Sequence, residues 1–275
     1  MVIWLLFKKL GLLKQTSMKR ILRSIVLIIN YKTFLITALS VLSTFLCFRY
    51  GLTAKFPDML VGVAIVFPVV FSIGSAFSRR EVALQRYADF KGHAIAIYYG
   101  VRDWTATKEN DLVPRIKQLI HDMMQLKGEM FKVTRNENWF DNEKKMYELF
   151  SKLSILTMEM RNFGVQSGEI SRVSQYVSKL IIAFDNMKII HHYRTPVTLR
   201  AYSKVFIYIF PIIYGPYFAS TFHDYSASLE YVMPVLYSFI LVSLDNIQDH
   251  LENPFDDVGE DDIVIDANDT IRLLS

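Results

Sequence analysis

Residues 63–92 read VAIVFPVVFSIGSAFSRREVALQRYADFKG, an apolar run that passes directly into a charged one. Within this segment no charged residue precedes Arg79, whereas the continuation to Trp104 mixes charges with apolar residues such as Ala83 and Leu84. An uncharged apolar run is typical of a membrane-spanning helix, and a mixed amphipathic sequence is typical of a helix in water. The segment therefore predicts one long helix that leaves a bilayer and continues beyond it.

The composition agrees with a membrane protein that has a large aqueous part. The 275-residue chain is 52% hydrophobic and 21% charged, which is too apolar for a soluble domain and too charged for a fully buried one. Four windows are nearly free of charge and approach the roughly 20 residues needed to cross a bilayer. These windows are Thr33–Phe48, Met59–Phe77, Val205–Phe222 and Leu229–Leu244. We expect an integral, multi-pass protein embedded in a lipid bilayer.

The connections between the windows indicate two membrane hairpins. Arg49–Asp58 and His223–Ser228 are short, so each joins neighbouring crossings. The long region between the hairpins is amphipathic and predicts helices rather than strands. After the helix that ends at Trp104, these are Leu112–Val133, Asp141–Phe163 and Glu169–Tyr193. The predicted fold class is all-α, with four transmembrane helices in two hairpins and a helical bundle outside the membrane.

Charge predicts which side the bundle lies on. Basic residues precede the first window without any acidic residue among them, and they include Lys19, Arg20 and Lys32. By the positive-inside rule, the N-terminus stays in the cytoplasm, and an even number of crossings returns the C-terminus to the same side. The opening MVIWLLFKKLGLL predicts an interfacial amphipathic helix. The membrane is a bacterial inner membrane, or an organelle or plasma membrane.

The sequence divides into successive regions. They are a basic amphipathic N-terminal segment (1–32), a transmembrane hairpin (33–78), a cytosolic helical region (79–203), a second transmembrane hairpin (204–245) and an acidic C-terminal segment (246–275).

Val63, Phe67 and Phe71 are spaced four residues apart and form one stripe along a helix, rising about 12 Å. Pro68 lies inside the stripe and removes one helical hydrogen bond. The ordinary interpretation of such a stripe is contact with lipid or with another helix. A special role needs support from elsewhere in the chain.

Two stretches supply a resemblance to a known family. LENPFDDVGEDDIVID, Leu251–Asp266, is similar to the Asn-Pro-Phe and acidic run that follow the last membrane helix of the bestrophins. FSIGSAFSRREVALQRYADFKG, Phe71–Gly92, is similar to the place where their second helix leaves the membrane. The two hairpins separated by a helical region also match in order. The chain resembles the bestrophins, in particular the bacterial and plastid type, which are homopentameric ion channels.

The resemblance implies roles for particular residues. Val63, Phe67 and Phe71 would form the apolar pore neck around the five-fold axis. Thr195, Pro196, Val197 and Thr198 would form a second constriction, although a simple turn at the membrane surface explains the proline equally well. Arg79 and Arg80 would line a vestibule and attract anions, unless they pair with acids such as Glu81.

The acidic run raises the question of calcium. Asp256, Asp257, Glu260, Asp261 and Asp262 carry carboxylate oxygens of the kind that calcium prefers. Animal bestrophins use such a run as a calcium clasp, but here it is interrupted, as in the bacterial type. Calcium is therefore possible but not favoured, and a solvated acidic segment against a basic neighbouring subunit is the preferred interpretation.

No other pattern indicates a cofactor, a catalytic site or nucleic-acid binding. His191 and His192 are adjacent, and adjacent residues on a helix point to different sides, so we expect them not to share a metal. The lone Cys47 allows no disulfide within the chain. We expect a channel for chloride or other small anions and no enzyme activity. The alternatives are a channel of the same architecture for monovalent cations, and a non-conducting membrane scaffold.

Overall fold

The computed structural model describes residues 29–55, 58–105, 111–132, 137–193, 196–221, 229–256 and 262–274. Throughout these residues the only regular secondary structure is helical, which confirms the predicted all-α class. The predicted interfacial helix at the N-terminus lies outside the described residues.

The helices of the described residues range in length from six to 47 residues. They are α1 (Tyr31–Arg49), α2 (Asp58–Trp104), α3 (Leu112–Lys132), α4 (Glu137–Glu159) with a 3₁₀ turn at Met160–Phe163, α5 (Ser167–His192), α6 (Val197–Ile213), α7 (Gly215–Thr221), α8 (Leu229–Glu252) and α9 (Ala267–Arg272). Helix α2 is continuous over 47 residues, as residues 63–92 predict.

The chain forms two compact units. The hairpin unit comprises Met1–Phe77 and Thr195–Glu252, and the bundle unit comprises Ser78–Arg194 and Asn253–Ser275. The first part of α2 belongs to the hairpin unit and the rest to the bundle unit.

Three segments are long and apolar enough to cross a bilayer, counting only the described residues. They are Tyr31–Arg49, Gly62–Trp104 and Ser167–Ile213. The fourth predicted window, Leu229–Leu244, lies in α8, which is not among the three. The multi-pass topology stays a prediction.

In the hairpin unit, α1 packs against α6, α7 and α8. The buried apolar residues of this unit are Ile36, Ile65, Val69, Ile207, Phe210, Tyr214, Phe218, Leu241 and Val242. Asn30 caps α1, because its side-chain oxygen accepts hydrogen bonds from the backbone N–H groups of Lys32 and Thr33. The Asn30 amide also donates to Asn246 Oδ1 at 2.7 Å, so the cap ties α1 to α8.

The third apolar window is not one helix, contrary to the sequence prediction. Helix α6 ends at Ile213 and α7 begins at Gly215. Pro216 has no N–H to donate to the carbonyl of Ile212, four residues earlier, so that carbonyl lacks its helical donor at the break. The Ser43 hydroxyl donates to that carbonyl instead, at 2.7 Å.

The break also brings α7 close to α1. A Cβ atom on Gly215 would lie 2.4 Å from Ser43 Oγ and 3.0 Å from the Ser43 carbonyl carbon. Only glycine fits at this contact. Ser40 adds a buried hydrogen bond from its hydroxyl to the carbonyl of Pro211 at 2.7 Å.

The bundle unit is built around an aromatic centre. Phe131 is fully buried, and its ring lies 5.7 Å from that of Trp139, 6.1 Å from Phe184 and 5.2 Å from Phe255. Phe255 belongs to the Asn-Pro-Phe motif of the C-terminal segment. That segment is held further by the Ile263 N–H, which donates to the carbonyl of Pro254 at 2.8 Å.

Candidate functional site

The hairpin-unit part of α2 has two faces of different character. Ile65, Val69, Ser72 and Ala76 are buried against the unit. Val63, Phe67 and Phe71 lie on the opposite face, with exposed fractions of 57%, 61% and 54%. At about 100° per residue, the exposed side chains of this region span an arc of about 160°.

The exposed arc is apolar, and it is wider than the stripe that the sequence singles out. Val66 and Val70 are also exposed, and they lie beside the stripe. The rings of Phe67 and Phe71 contact each other edge to face, with centroids 4.6 Å apart. Neighbouring rings in this arrangement restrict each other's rotamers, so the stripe presents a defined apolar surface.

Pro68 lies within the helix without ending it, because α2 is helical on both sides of it. The residue is half-buried and points between the two faces. The proline therefore leaves the four-residue register of the exposed stripe intact.

Arg79 and Arg80 make contacts within the bundle unit. The Arg79 guanidinium donates to the backbone carbonyl of Tyr193. Arg80 pairs with Glu81, with Nη1 2.5 Å from Oε1. The sequence left two alternatives for these arginines, an ion pair with a nearby acid or a place along a vestibule. Arg80 forms the ion pair.

The candidate second constriction lies at the start of α6. Pro196 precedes the first turn, and Val197 is 68% exposed in that turn. Thr198 is exposed as well. Thr195 lies outside the described residues. The exposed side chains leave the predicted role open to test.

The acidic segment is described only in part. Asp256 accepts a hydrogen bond from the Asn253 amide at 2.7 Å, and Asp262 is half-buried. Asp257, Glu260 and Asp261 lie outside the described residues. Within the described ones, no three His, Cys, Asp or Glu side chains are grouped as a metal site.

No protein-family model matches the chain, and no curated protein matches it. Solved structures do match. Two point variants of a bacterial bestrophin homologue from Klebsiella pneumoniae superpose with TM-scores of 0.74 and 0.72, each at 16% identity. The first match covers 88% of this chain and 97% of the other, and the second covers 89% and 96%.

A further crystal structure, described as that of a membrane protein, gives a TM-score of 0.71 at 17% identity, over 89% of this chain and 98% of the other. The chain has the bestrophin fold. The resemblance that the Asn-Pro-Phe and second-helix stretches predicted is therefore confirmed as a likeness of fold. The low identity explains why only a few short stretches reveal it.

A row of ion pairs joins α6 and α8 in this chain, and the sequence pattern alone did not predict it. Lys204 Nζ lies 3.0 Å from Asp249 Oδ1 and 3.8 Å from Asp245 Oδ1. Arg200 pairs with the buried Glu252 at 2.6 Å. Basic residues lie four apart on α6, at positions 200 and 204, and acidic residues lie three or four apart on α8, at positions 245, 249 and 252, which is a signal that the sequence carries. Pairing offsets the cost of burying the Asp245 and Glu252 carboxylates.

Two histidines near the end of α5 lie closer together than the sequence predicted. His191 Nδ1 and His192 Nδ1 are 3.5 Å apart, so the expectation that these side chains point apart is wrong. Both rings pack against Trp139, with centroid distances of 4.9 Å and 4.6 Å. The shared aromatic neighbour turns the two imidazoles toward each other at the last turn of the helix.

Lys127 is fully buried in the bundle unit, and no sequence pattern predicts its burial. Its ammonium lies over the rings of Tyr87, at 4.2 Å, and Phe90, at 4.3 Å, and it donates to Met124 Sδ at 3.5 Å. In the described residues no carboxylate forms an ion pair with it. Burial, together with repulsion from Lys91, holds the pKa of Lys127 well below its ordinary value.

Proposed function

We propose that this chain is the subunit of a homopentameric ion channel with the bestrophin fold, which conducts chloride or other small anions. Five copies of α2 would surround the ion path, and Val63, Phe67 and Phe71 would form its apolar neck. The observation that carries the proposal is the exposed arc of α2, which opposes the buried face of Ile65 and Val69. A helix that lines a pore needs this division between a packed face and an open apolar face.

The apolar neck would act as a gate by excluding water. A narrow apolar constriction dewets, and an ion crossing it would lose its hydration shell without receiving other ligands. Rings of phenylalanine at two successive levels make such a barrier tall as well as narrow. Conduction would then require the neck to widen.

The proposal includes no catalysed reaction and no resident cofactor. It places the chain in a membrane with several crossings, with both termini on the cytoplasmic side. The apolar segments that are long enough to cross a bilayer support the membrane setting. The basic residues ahead of α1 support the proposed orientation.

Ion flux through liposomes tests the neck. We expect the Phe67→Ala and Phe71→Ala double variant to conduct more than the wild type, because smaller side chains widen and wet the constriction. Phe34→Ala is the matched control, since Phe34 is 70% exposed on α1 and has no place in the neck. Equal flux from the wild type and the double variant would contradict the neck, and no flux from either would favour the non-conducting scaffold.

Selectivity needs a separate measurement, because an apolar neck does not choose the sign of an ion. One observation favours the alternative of a cation channel: Arg80 pairs with Glu81, which reduces the positive potential that it offers to anions. Reversal potentials in asymmetric potassium chloride distinguish the two. A shift toward the chloride equilibrium potential is expected, and a shift toward that of potassium would establish the cation channel instead.

The mass of the detergent-solubilised complex tests the pentamer. Native mass spectrometry should give five times the 32.0 kDa mass of the chain. A monomer or dimer with no larger species would contradict the proposed central pore, whatever the selectivity.

A further inference from the structure

An apolar groove runs along the surface of the hairpin unit, between α1 and α8. Its walls include Ala38, Leu42 and Phe45 from α1 and Tyr231, Val235 and Phe239 from α8. The groove has a volume of about 680 Å³, and its wall is almost wholly apolar. Binding sites for small molecules commonly have volumes of about 300–1,000 Å³. The groove is therefore large enough to hold a sizeable apolar ligand.

The direction and length of the groove follow from the packing of the two helices. Asn30 at the start of α1 bonds Asn246 near the end of α8, so the helices that line the groove run antiparallel. On α1 the groove extends from Thr33 to Phe45, a rise of about 18 Å. Half of a bilayer's hydrocarbon core is about 15 Å thick. The length of the groove thus matches a fatty acyl chain that crosses one leaflet.

A basic residue lies beyond one end of the groove. Arg49 follows Phe45 by four residues, so it lies one turn further along the same face of α1. Its side chain is exposed, and it forms no ion pair with any residue that the structure describes. A guanidinium group donates paired hydrogen bonds to phosphate oxygens. The arrangement suits a ligand that has a phosphate at one end and a hydrocarbon chain at the other.

The walls of the groove favour a hydrocarbon chain over another helix. Membrane helices associate through small residues and hydroxyl groups, and α1 uses Ser40 and Ser43 in this way where it meets the end of α6. The groove instead has bulky side chains such as Leu42 and Phe45, which are 51% and 49% exposed. A flexible chain can follow such an uneven wall, whereas the backbone of a second helix could not approach it closely.

We propose that the groove binds one acyl chain of an anionic phospholipid, to whose phosphate the Arg49 guanidinium donates hydrogen bonds. The lipid belongs to the leaflet on the Arg49 side of the bilayer. An anionic headgroup is preferred over a zwitterionic one, because it contains no second cation that competes with Arg49 for the phosphate. The inference rests on the membrane setting of α1 and does not depend on ion conduction or on the number of subunits.

Native mass spectrometry of the full-length protein in detergent tests the charged end of the site. After removal of co-purified lipid, phosphatidylglycerol and phosphatidylcholine are added separately. We expect one phosphatidylglycerol per chain to be retained, and phosphatidylcholine to bind more weakly. Arg49→Gln should weaken phosphatidylglycerol binding about tenfold, because it removes a charge-assisted interaction. Lys55→Gln is the matched control, since this exposed lysine also follows α1 but does not line the groove.

Filling the groove tests the apolar part of the site. Ala38→Trp should abolish most phosphatidylglycerol binding, because the indole ring would occupy the space of the acyl chain. Leu39→Trp is its control, since Leu39 is exposed at the next position of α1 and does not line the groove. If Ala38→Trp reduced the mass of the protein complex and left lipid binding intact, the groove would hold a neighbouring subunit and the proposal would be wrong.

Photo-crosslinking of the wild type gives a result that a misfolded variant cannot affect. Phosphatidylglycerol with a photoreactive acyl chain should label the α1 residues of the groove, such as Leu42, and not Leu39. Equal labelling of both faces of α1, or equal affinity for the two lipids, would overturn the proposal, as would unchanged binding to Arg49→Gln. A monomeric wild type that retains the lipid would contradict the pentamer and leave this site in place.

Discussion

The hairpin unit and the bundle unit differ in which side chains their helices bury and which they expose, as α1 and α3 show. In α1 of the hairpin unit, the buried face carries Ser40 and Thr44, while large apolar residues such as Phe34 and Phe45 are exposed. In α3 of the bundle unit, residues such as Ile120 are fully buried, and the exposed positions other than Pro114 are polar. The exposed positions of α3 on its polar face include Arg115, Gln118, Gln125 and Glu129. Each unit is thus suited to a different surrounding medium.

The difference shows what holds each unit together. Where the medium is apolar, burying an apolar side chain gains little, and helices associate through small residues, close contacts and hydrogen bonds. The Gly215 contact and the Ser40 and Ser43 hydroxyls are of this kind. Where the medium is water, burial of large side chains supplies most of the stability. The aromatic centre around Phe131 is of that second kind.

The largest difference in the free energy of unfolding should appear when a phenylalanine is replaced by alanine in one unit and then in the other. Phe131→Ala should lower the free energy of unfolding by about 4 kcal/mol, because it opens a cavity in a packed aromatic centre. Phe67→Ala should change it by less than about 0.5 kcal/mol, because that ring is exposed in the chain. Denaturation of detergent-solubilised protein, followed by circular dichroism, measures both. Similar losses from the two variants would break the contrast between the units.

Gly215→Ala should be the most damaging small substitution in the hairpin unit. The new methyl group would overlap Ser43, including its backbone, and we expect a loss of about 2 kcal/mol. Gly74→Ala is the control, since no heavy atom lies within 4 Å of a Cβ built there. If thermal unfolding midpoints show that Gly74→Ala costs as much, close packing at the α1–α7 contact is not the cause.

Lys127→Met should stabilise the bundle unit and alter its pH dependence. The pKa of Lys127 is lowered in the folded protein, so the unfolded chain binds more protons between the folded and unfolded pKa values. Stability from this group therefore rises with pH in that window, by up to about 1.4 kcal/mol per pH unit, and is lowest below it.

Replacement of Lys127 by methionine should remove this dependence of stability on pH. The gain in the free energy of unfolding should be largest at low pH, where the buried lysine costs most. Unfolding curves at a series of pH values measure both effects. Lys117→Met, at a half-buried position on the same helix, controls for the loss of a lysine as such. A slope that survives in Lys127→Met would assign the pH dependence to other groups.

Among the substitutions that remove a contact within a unit, Ser43→Ala should have the smallest effect. It removes the hydroxyl that donates to the Ile212 carbonyl, for which Pro216 supplies no N–H, and should cost about 1 kcal/mol. Ser178→Ala removes an exposed hydroxyl that bonds its own helix at 3.3 Å, and should be close to neutral. Equal midpoints for the two variants would show that the carbonyl at the helix break finds another donor.

Some local features were readable in the sequence and were missed. The dipeptide Gly215-Pro216 is a turn signal inside an apolar window, yet the apolar length alone predicted an unbroken crossing. The complementary charges were also present, with basic Arg200 and Lys204 on α6 and acidic Asp249 and Glu252 on α8. The positions of Lys127 and of the two histidines were not readable, because they depend on which helices pack around them.

The sequence by itself determined the helical class, the apolar segments, the uninterrupted α2 and the likeness to the bestrophin fold. The first three follow from the periodicity and order of residues along one chain, which need no partner elements to interpret. The likeness to the bestrophins rests on the resemblance of short stretches such as Leu251–Asp266. Only the tertiary structure decided the pairing of His191 with His192, the burial of Lys127 and the need for glycine at 215. Each of these depends on distances between side chains that are set by packing, and packing brings together residues whose separation along the chain carries no signal.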